Sequence, residues 1–245
     1  MKKADITTIT QNHLCFSCGA CGVSCPSDSI RFEITSAGRL QPCIDYKGCI
    51  NCGVCYDVCP GLDVADVVTR GYATEDLFEG HTINAYIGRT FDEKIYSNAQ
   101  SGGMVTEVLT YLLQQKLISS AIVVRMDYGI KPTPVCYLAK NIDELYRSQK
   151  SIYTPIDLLS ALSKLMSFEG DVALVGLPCH MQGIKSLINH ASQKYTRVKY
   201  KLGLICDRAL SYLASDYFSS FAHGKHKILY KDTLLSKLAF LRRES

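Results

Sequence analysis

"CFSCGACGVSCP", residues 15–26, sets four cysteines within eleven positions and closes them with a proline; "CINCGVCYDVCP", residues 49–60, nearly repeats it. Nine of the twelve cysteines fall within residues 15–59. In a secreted chain that density would suggest disulfides. Here "MKKADITTIT" begins basic but has no apolar run behind it, which is not a secretory signal. A reduced thiol cluster in a cytoplasmic protein is more often a metal site, so the expectation is a cytoplasmic metal-binding protein.

The spacing bears on the metal. Both runs read C-x2-C-x2-C-x3-C-P: Cys15, Cys18, Cys21 and Cys25 with Pro26, then Cys49, Cys52, Cys55 and Cys59 with Pro60. Zinc usually takes two thiolates from one C-x2-C turn and two from a distant one. Three thiolates from a single tight loop suit three corners of an iron–sulfur cube instead. The run matches the bacterial two-cluster ferredoxin signature, in which the fourth cysteine of each run serves the other cluster. Applied here, one 4Fe–4S cluster takes Cys15, Cys18, Cys21 and Cys59, and the other takes Cys49, Cys52, Cys55 and Cys25. Gly19, Gly22 and Gly53 sit where a backbone bends around a cluster and points N–H groups at sulfur. Zinc and a purely structural cluster are the alternatives; two adjacent cubes suit a wire better than a staple. Cys43 is a ninth thiol outside the scheme, expected to be a bystander.

Between the runs, "SIRFEITSAGRLQPCI" alternates apolar and polar residues around "SAG", a hairpin pattern. Residues 1–65 are therefore expected to form an α+β ferredoxin-like two-cluster module, with too little apolar core to stand without its inorganic contents. Residues 66–245 read as an α/β domain with a mainly parallel sheet. Expected strands are 83–90, 120–126, 134–140, 171–177 and 200–206. Expected helices are 102–118, 142–148 capped by Asn141, 155–166 opened by Pro155, 178–192 and 211–221.

At 245 residues, 47% apolar and 20% charged, the composition is that of an ordinary globular protein. No stretch approaches the roughly 18 consecutive apolar residues of a membrane helix, and nothing resembles a nucleic-acid motif. The net charge of +4 is uneven. The last 23 residues hold six Lys/Arg against two acids, a basic tail suited to an acidic partner or to a solvated helix face.

Three turns of the second domain could hold a cofactor. "NAQSGGMVT", residues 98–106, opens a helix whose N–H groups would suit a phosphate. "GLPCHMQG", residues 176–183, and "LICDR", residues 204–208, lie at the carboxyl ends of strands, where α/β ligands gather. Cys179 and Cys206 sit at these strand ends, open to a site role or to packing; Cys136 is expected to be structural. His180 beside Cys179 invites a thiolate–imidazolium reading, but adjacent residues on a helix point about 100° apart.

Together these pieces resemble the family of coenzyme F420 hydrogenase/dehydrogenase beta subunits, from Cys15 to roughly Phe218. The resemblance rests on the duplicated cysteine run, "SGGMVT" after "AYIGRTFDEKIYSNAQ", "ELYRSQKS", "GLPCHMQGIKSL" and "LGLICDR". It implies an iron–sulfur flavoprotein oxidoreductase with two 4Fe–4S clusters and a flavin, FAD. Electrons would pass on to a soluble redox partner, whether a protein or a small coenzyme. Residue by residue, it implies flavin contacts at Ser101, Gly102, Gly103, Thr106 and Lys150, then Pro178, Cys179 and Gly183. A non-catalytic electron-transfer subunit of a larger redox complex is the competing reading. Leu177 and His180 flank the Pro-Cys pair where the family commonly has Thr and Gln. Asp207 and Arg208 follow Cys206 where many members have His-Gly. Both departures leave the electron acceptor open. The chain ends sooner than family members generally do, so the flavin domain is expected to be incomplete at its C-terminus.

Overall fold

The computed structural model describes residues 3–62, 82–128, 132–167, 169–190 and 195–220. The expected domain boundary at 65/66 and the basic tail at 223–245 lie outside them. Helix α1 (Ile6–Gln11) leads into the first cysteine run and helix α2 (Ala20–Ser24). The expected hairpin follows as β1 (Ile30–Ile34) and β2 (Leu40–Ile44), antiparallel with Ile30 opposite Ile44. The second run then carries helix α3 (Val54–Asp57). In the hairpin turn Gly38 has φ +72°, in the left-handed region that suits glycine.

Next come α4 (Glu93–Asn98), α5 (Met104–Gln114), β3 (Ser120–Tyr128), β4 (Pro132–Ala139) and α6 (Ile142–Arg147). Asn141 caps α6 as expected, accepting from the Glu144 N–H at 3.0 Å. A 3₁₀ helix (Leu158–Ser167), β5 (Val172–Gly176), α7 (Pro178–His190), β6 (Val198–Gly203) and α8 (Tyr212–Ser220) complete the series. The sheet runs β4-β3-β5-β6; β3–β4 is antiparallel, while β3–β5 and β5–β6 are parallel. The sheet is thus mixed and mostly parallel.

Both faces of the sheet are covered, as parallel pairing requires. Ile122, Val172, Leu174 and Val198 pack with the 3₁₀ helix, α7 and residues of the cysteine runs. Ala121, Val123, Ala139 and Ala173 pack with α5 and Leu145 of α6. In β6, Tyr200 and Leu202 join this second face although Val198 belongs to the first. An irregular register accounts for it: Val172 pairs Val198, but the next residue, Ala173, pairs Tyr200. The extra Lys199 reverses the side-chain alternation.

Two expectations need correction. Residues 155–166 do not form an α-helix. The bond that would open one, from the Leu159 N–H to the Pro155 carbonyl, is divided between two outside partners. Leu159 N–H donates to the Cys18 carbonyl at 2.9 Å, and the Pro155 carbonyl accepts from the Tyr212 hydroxyl at 3.0 Å. The chain tightens instead, with Ser160 N–H reaching back to Asp157 at 2.9 Å. Residues 83–90 form no strand. Alternation needs a partner edge, and among the described residues none pairs with this segment, whose Tyr86 and Ile87 are 87% and 107% exposed.

The cysteine module and the sheet share one core. Cys18, Ala20, Val23 and Val58 bury against Leu158, Leu159, Leu162 and Ile184. Tyr195 donates its hydroxyl to the Val23 carbonyl at 3.2 Å, and Tyr212 N–H donates to the Gly38 carbonyl at 2.8 Å. Gly183 of α7 lies at this seam: a Cβ there would stand 2.7 Å from Leu159 Cδ1 and 3.3 Å from Ala20 Cβ. Gly183→Val is therefore expected to cost about 2 kcal/mol through overpacking. A thermal melt should show a clear fall in Tm, while Lys185→Ala on the exposed face of α7 leaves it unchanged.

Candidate metal centre and its surroundings

The two cysteine runs repeat in conformation as well as in sequence. Two residues after the first cysteine, Ser17 (φ 60°) and Asn51 (φ 54°) are left-handed; four residues after it, so are Gly19 (φ 91°) and Gly53 (φ 83°). The glycines then begin α2 and α3. This double reversal winds each loop tightly enough to bring its first three cysteines to one side. At Gly19 a side chain is excluded twice, because a Cβ would stand 2.7 Å from Ser160 N and 2.8 Å from the Asp157 carbonyl. Gly22 is different: it lies within α2 and makes room for Phe32, whose ring would stand 3.2 Å from a Cβ.

The thiols form two neighbourhoods. Cys18, Cys21 and Cys59 are buried and Cys15 half-buried. Burial pushes the Cys21 thiol well above its ordinary value, and the nearby Cys18, Cys59, Cys15 and Cys55 push it further. Cys18 is likewise raised by burial, then by Cys179, Cys59 and Cys15, against the lowering effect of a bond from the Ala20 N–H. Cys59 thus stands near Cys18 and Cys21 of the other run, with Cys55 also near Cys21. Around the second neighbourhood, a cavity is lined by Cys25, Cys49, Cys52 and Cys55, together with Lys3, Asp5, Ser27 and Ser29. Here Cys25 has joined the second run.

Donors point at the sulfurs. Ser17 N–H reaches Cys15 Sγ and Ser29 N–H reaches Cys25 Sγ, both at 3.4 Å. The Cys55 thiol is raised by burial, lowered by the Ile6 N–H, and raised again by the Asp5 charge. The arrangement fits iron–sulfur clusters: sulfur-only donor sets, three ligands from one loop, backbone donors to sulfur and partial exclusion of water. Among the described residues, no three His, Cys, Asp or Glu side chains converge on a single-ion position; a cube spreads its thiolates over separate corners. Cys43 is exposed on β2 and apart from both sets. Cys136 packs against the sheet–module core.

The other expected site residues fall into two places. Residues 98–101 and 149–151 meet through polar side chains. Asn98 Nδ2 donates to Gln149 Oε1 at 2.7 Å, Gln149 Nε2 to the Ile95 carbonyl at 3.1 Å, and Ser151 N–H to Gln100 Oε1 at 2.6 Å. Ser101 is exposed beside this seam, and Lys150 within it has φ 82°. Gly102 and Gly103 are occupied by protein: a Cβ at Gly102 would meet the Gly88 carbonyl at 2.6 Å, and one at Gly103 the Thr90 methyl at 2.8 Å. Thr106 is buried in the first turn of α5. In the second place, Pro178 is exposed, Cys179 half-buried and Gly183 packed on the module. Burial, then the nearby Cys206, raises the Cys179 thiol to about 11. His180 is not its partner. The buried imidazole accepts the Leu177 N–H on Nδ1 at 2.9 Å and also bonds the Ile156 backbone.

Sequence reasoning overlooked Lys3, Asp5 and Ile6 at the second thiol set, because the cysteine motif begins only at Cys15. It also overlooked Leu159 and Ser160 as the dock for the first loop. The repeated offset of Ser17 and Asn51 was the available signal for the paired loop shape.

Comparison with known proteins bears on both halves. Residues 14–61 match the model of the 4Fe-4S dicluster domain, so this segment is a ferredoxin-type iron–sulfur domain. Residues 85–163 match the N-terminal model and 170–228 the C-terminal model of the coenzyme F420 hydrogenase/dehydrogenase beta subunit. The chain belongs to the family of coenzyme F420 hydrogenase/dehydrogenase beta subunits. Within that family, the coenzyme F420-dependent sulfite reductase of Methanocaldococcus jannaschii is 29% identical over 223 residues, covering 84% of this chain and 33% of the relative. A subunit of the F(420)H(2) dehydrogenase of Methanosarcina mazei is 22% identical over 212 residues, covering 82% of this chain and 55% of the relative. This family member therefore spans between a third and just over half the length of those two relatives. A solved F420-reducing [NiFe] hydrogenase complex from Methanosarcina barkeri aligns at 23% identity with a TM-score of 0.49, over 55% of this chain and 49% of that one. Among the described residues no helix is long and apolar enough to cross a membrane.

His180 yields a pH prediction. Burial lowers its pKa from 6.5 to about 4. Because the folded form resists protonation, its contribution is complete above about pH 6.5 and is lost as pH falls toward 4, roughly 3 kcal/mol in all. Denaturant midpoints measured between pH 7.5 and 4.5 should fall more steeply for the parent chain than for His180→Asn, which keeps an acceptor for Leu177 but cannot titrate there.

Proposed function

We propose that this chain is an iron–sulfur oxidoreductase that passes electrons between two 4Fe–4S clusters and a flavin, FAD, and on to a soluble redox partner. The observation that carries the reading is the exchange between the two runs: Cys59 stands with Cys15, Cys18 and Cys21, while Cys25 shares a cavity with Cys49, Cys52 and Cys55. Each set would hold one cluster, supplying one-electron transfer when bound. The N–H groups of Ser17, Ser29 and Ile6 aim at the sulfurs and would favour the more negative, reduced state. The buried Cys18, Cys21 and Cys59 keep water from the inner set, and the seam to Leu159 holds that set against the sheet domain.

Coenzyme F420, named in both relatives, is the proposed small redox partner, and membership of a larger complex is supported by the second relative being a subunit of a dehydrogenase. FAD is the companion cofactor that the family resemblance implies, and the polar seam of residues 98–101 with 149–151 and the strand-end turn at Pro178 and Cys179 are where the chain would hold it. At Gly102, Gly103 and Gly183 protein atoms fill the direction a Cβ would take, so close packing alone accounts for these glycines without a ligand. That observation favours a second reading, an electron-transfer subunit that carries iron alone.

One sample purified without oxygen separates these readings through iron, acid-labile sulfide, zinc and flavin per chain. About eight irons with near one flavin are expected, as two 4Fe–4S clusters require. Eight irons that take up no flavin even from added FAD would leave the carrier reading, and zinc in place of iron would overturn both. Cys59→Ser and Cys25→Ser should each remove one cluster, leaving about four irons.

A further inference from the structure

The second thiol set has neighbours that the cysteine motif does not contain. Lys3 and Asp5 both line the cavity of Cys25, Cys49, Cys52 and Cys55. Lys3 Nζ donates to the Cys52 carbonyl at 3.2 Å, and its stem lies over Gly53, where a Cβ would stand 3.1 Å from Lys3 Cδ. The absence of a side chain at Gly53 lets the lysine cross the loop. Asp5 is only 9% exposed. Its Oδ1 accepts from the Thr7 N–H at 2.9 Å and the Thr7 hydroxyl at 2.5 Å, and its Oδ2 accepts from the Tyr46 hydroxyl at 3.4 Å. These bonds fix a carboxylate at the rim.

A cluster held by four thiolates gains one negative charge when reduced. A nearby cation favours that form and a nearby anion opposes it. An exposed lysine acts through solvent and is screened by salt; a buried, hydrogen-bonded carboxylate is screened much less. Resting on the cluster reading above, we propose that Lys3 and Asp5 set the reduction potential of the cluster held by Cys25, Cys49, Cys52 and Cys55 in opposite senses, Lys3 raising it and Asp5 lowering it. The segment ahead of the motif thus sets the potential at the outer end of the electron path, while the inner set answers to the sheet domain.

The test is a redox titration of the intact chain, purified without oxygen and followed by electron paramagnetic resonance at low and high ionic strength, with iron counted in every sample. Lys3→Met should lower one of the two midpoints and leave the other in place, by more at low salt. Lys3→Arg should restore the parent value. Asp5→Asn, which keeps the helix cap, should raise the same midpoint with little dependence on salt. Parent-level iron with unmoved midpoints, or with both variants shifting the same way, would overturn the proposal and leave the cluster reading standing. A parent chain without iron would overturn both. If Asp5→Asn loses iron, the Lys3→Met and Lys3→Arg pair decides.

Discussion

The seam between the first thiol loop and the leucine-rich 3₁₀ segment organises this molecule. The hydrogen bond from Leu159 to the Cys18 carbonyl is worth only about 1 kcal/mol net. Leu158, Leu159 and Leu162, each at most 1% exposed, contribute roughly 2 kcal/mol apiece by burial. Burial therefore holds the two parts together, and the hydrogen bond sets their alignment. Gly19 and Gly183 face this seam from opposite sides, and neither has room for a side chain. The same bond denies residues 155–166 their first helical turn, so the docking surface for the iron–sulfur domain and the irregular connection between β4 and β5 have one cause.

The two thiol neighbourhoods differ in burial and surroundings. Cys18, Cys21 and Cys59 are buried, Cys18 in the core shared with the sheet and the other two in the module's own core, whereas Cys25, Cys49 and Cys52 are half-buried beside the buried Cys55 and border a cavity with Lys3 at its lip. Without metal, burial favours the protonated thiols of Cys18 and Cys21; iron would reverse that preference by binding the thiolate directly. The two sets therefore differ in their access to solvent.

Much of this was legible because local chemistry decides it. The duplicated cysteine run, the hairpin around Gly38, the Asn141 cap, and the apolar β5 leading into α7 each carry their own signal. What escaped reading depends on distant partners. The 3₁₀ helix exists because Cys18 and Tyr212 take the bonds that residues 155 and 159 would have shared. Residues 83–90 alternate like a strand but lack an edge to pair with among the described residues. The extra residue in β6 changes which face Tyr200 and Leu202 cover without changing their alternation in sequence. Of the candidate site, the iron–sulfur domain itself was readable from the cysteine spacing. The roles of Gly102, Gly103 and Gly183 in close packing were not, because a glycine beside a ligand and a glycine beside another chain segment look alike in sequence.

The shared core has a consequence for the life of the protein in a cell. Cys18 and Ala20 are wall residues of the sheet domain as well as parts of a metal loop. If the loop holds a cluster as proposed, emptying it would loosen the support of the leucines that close the sheet. Binding to the folded form alone shifts stability by mass action. Through this shared core, iron supply and the resistance of the whole chain to proteolysis would then be coupled.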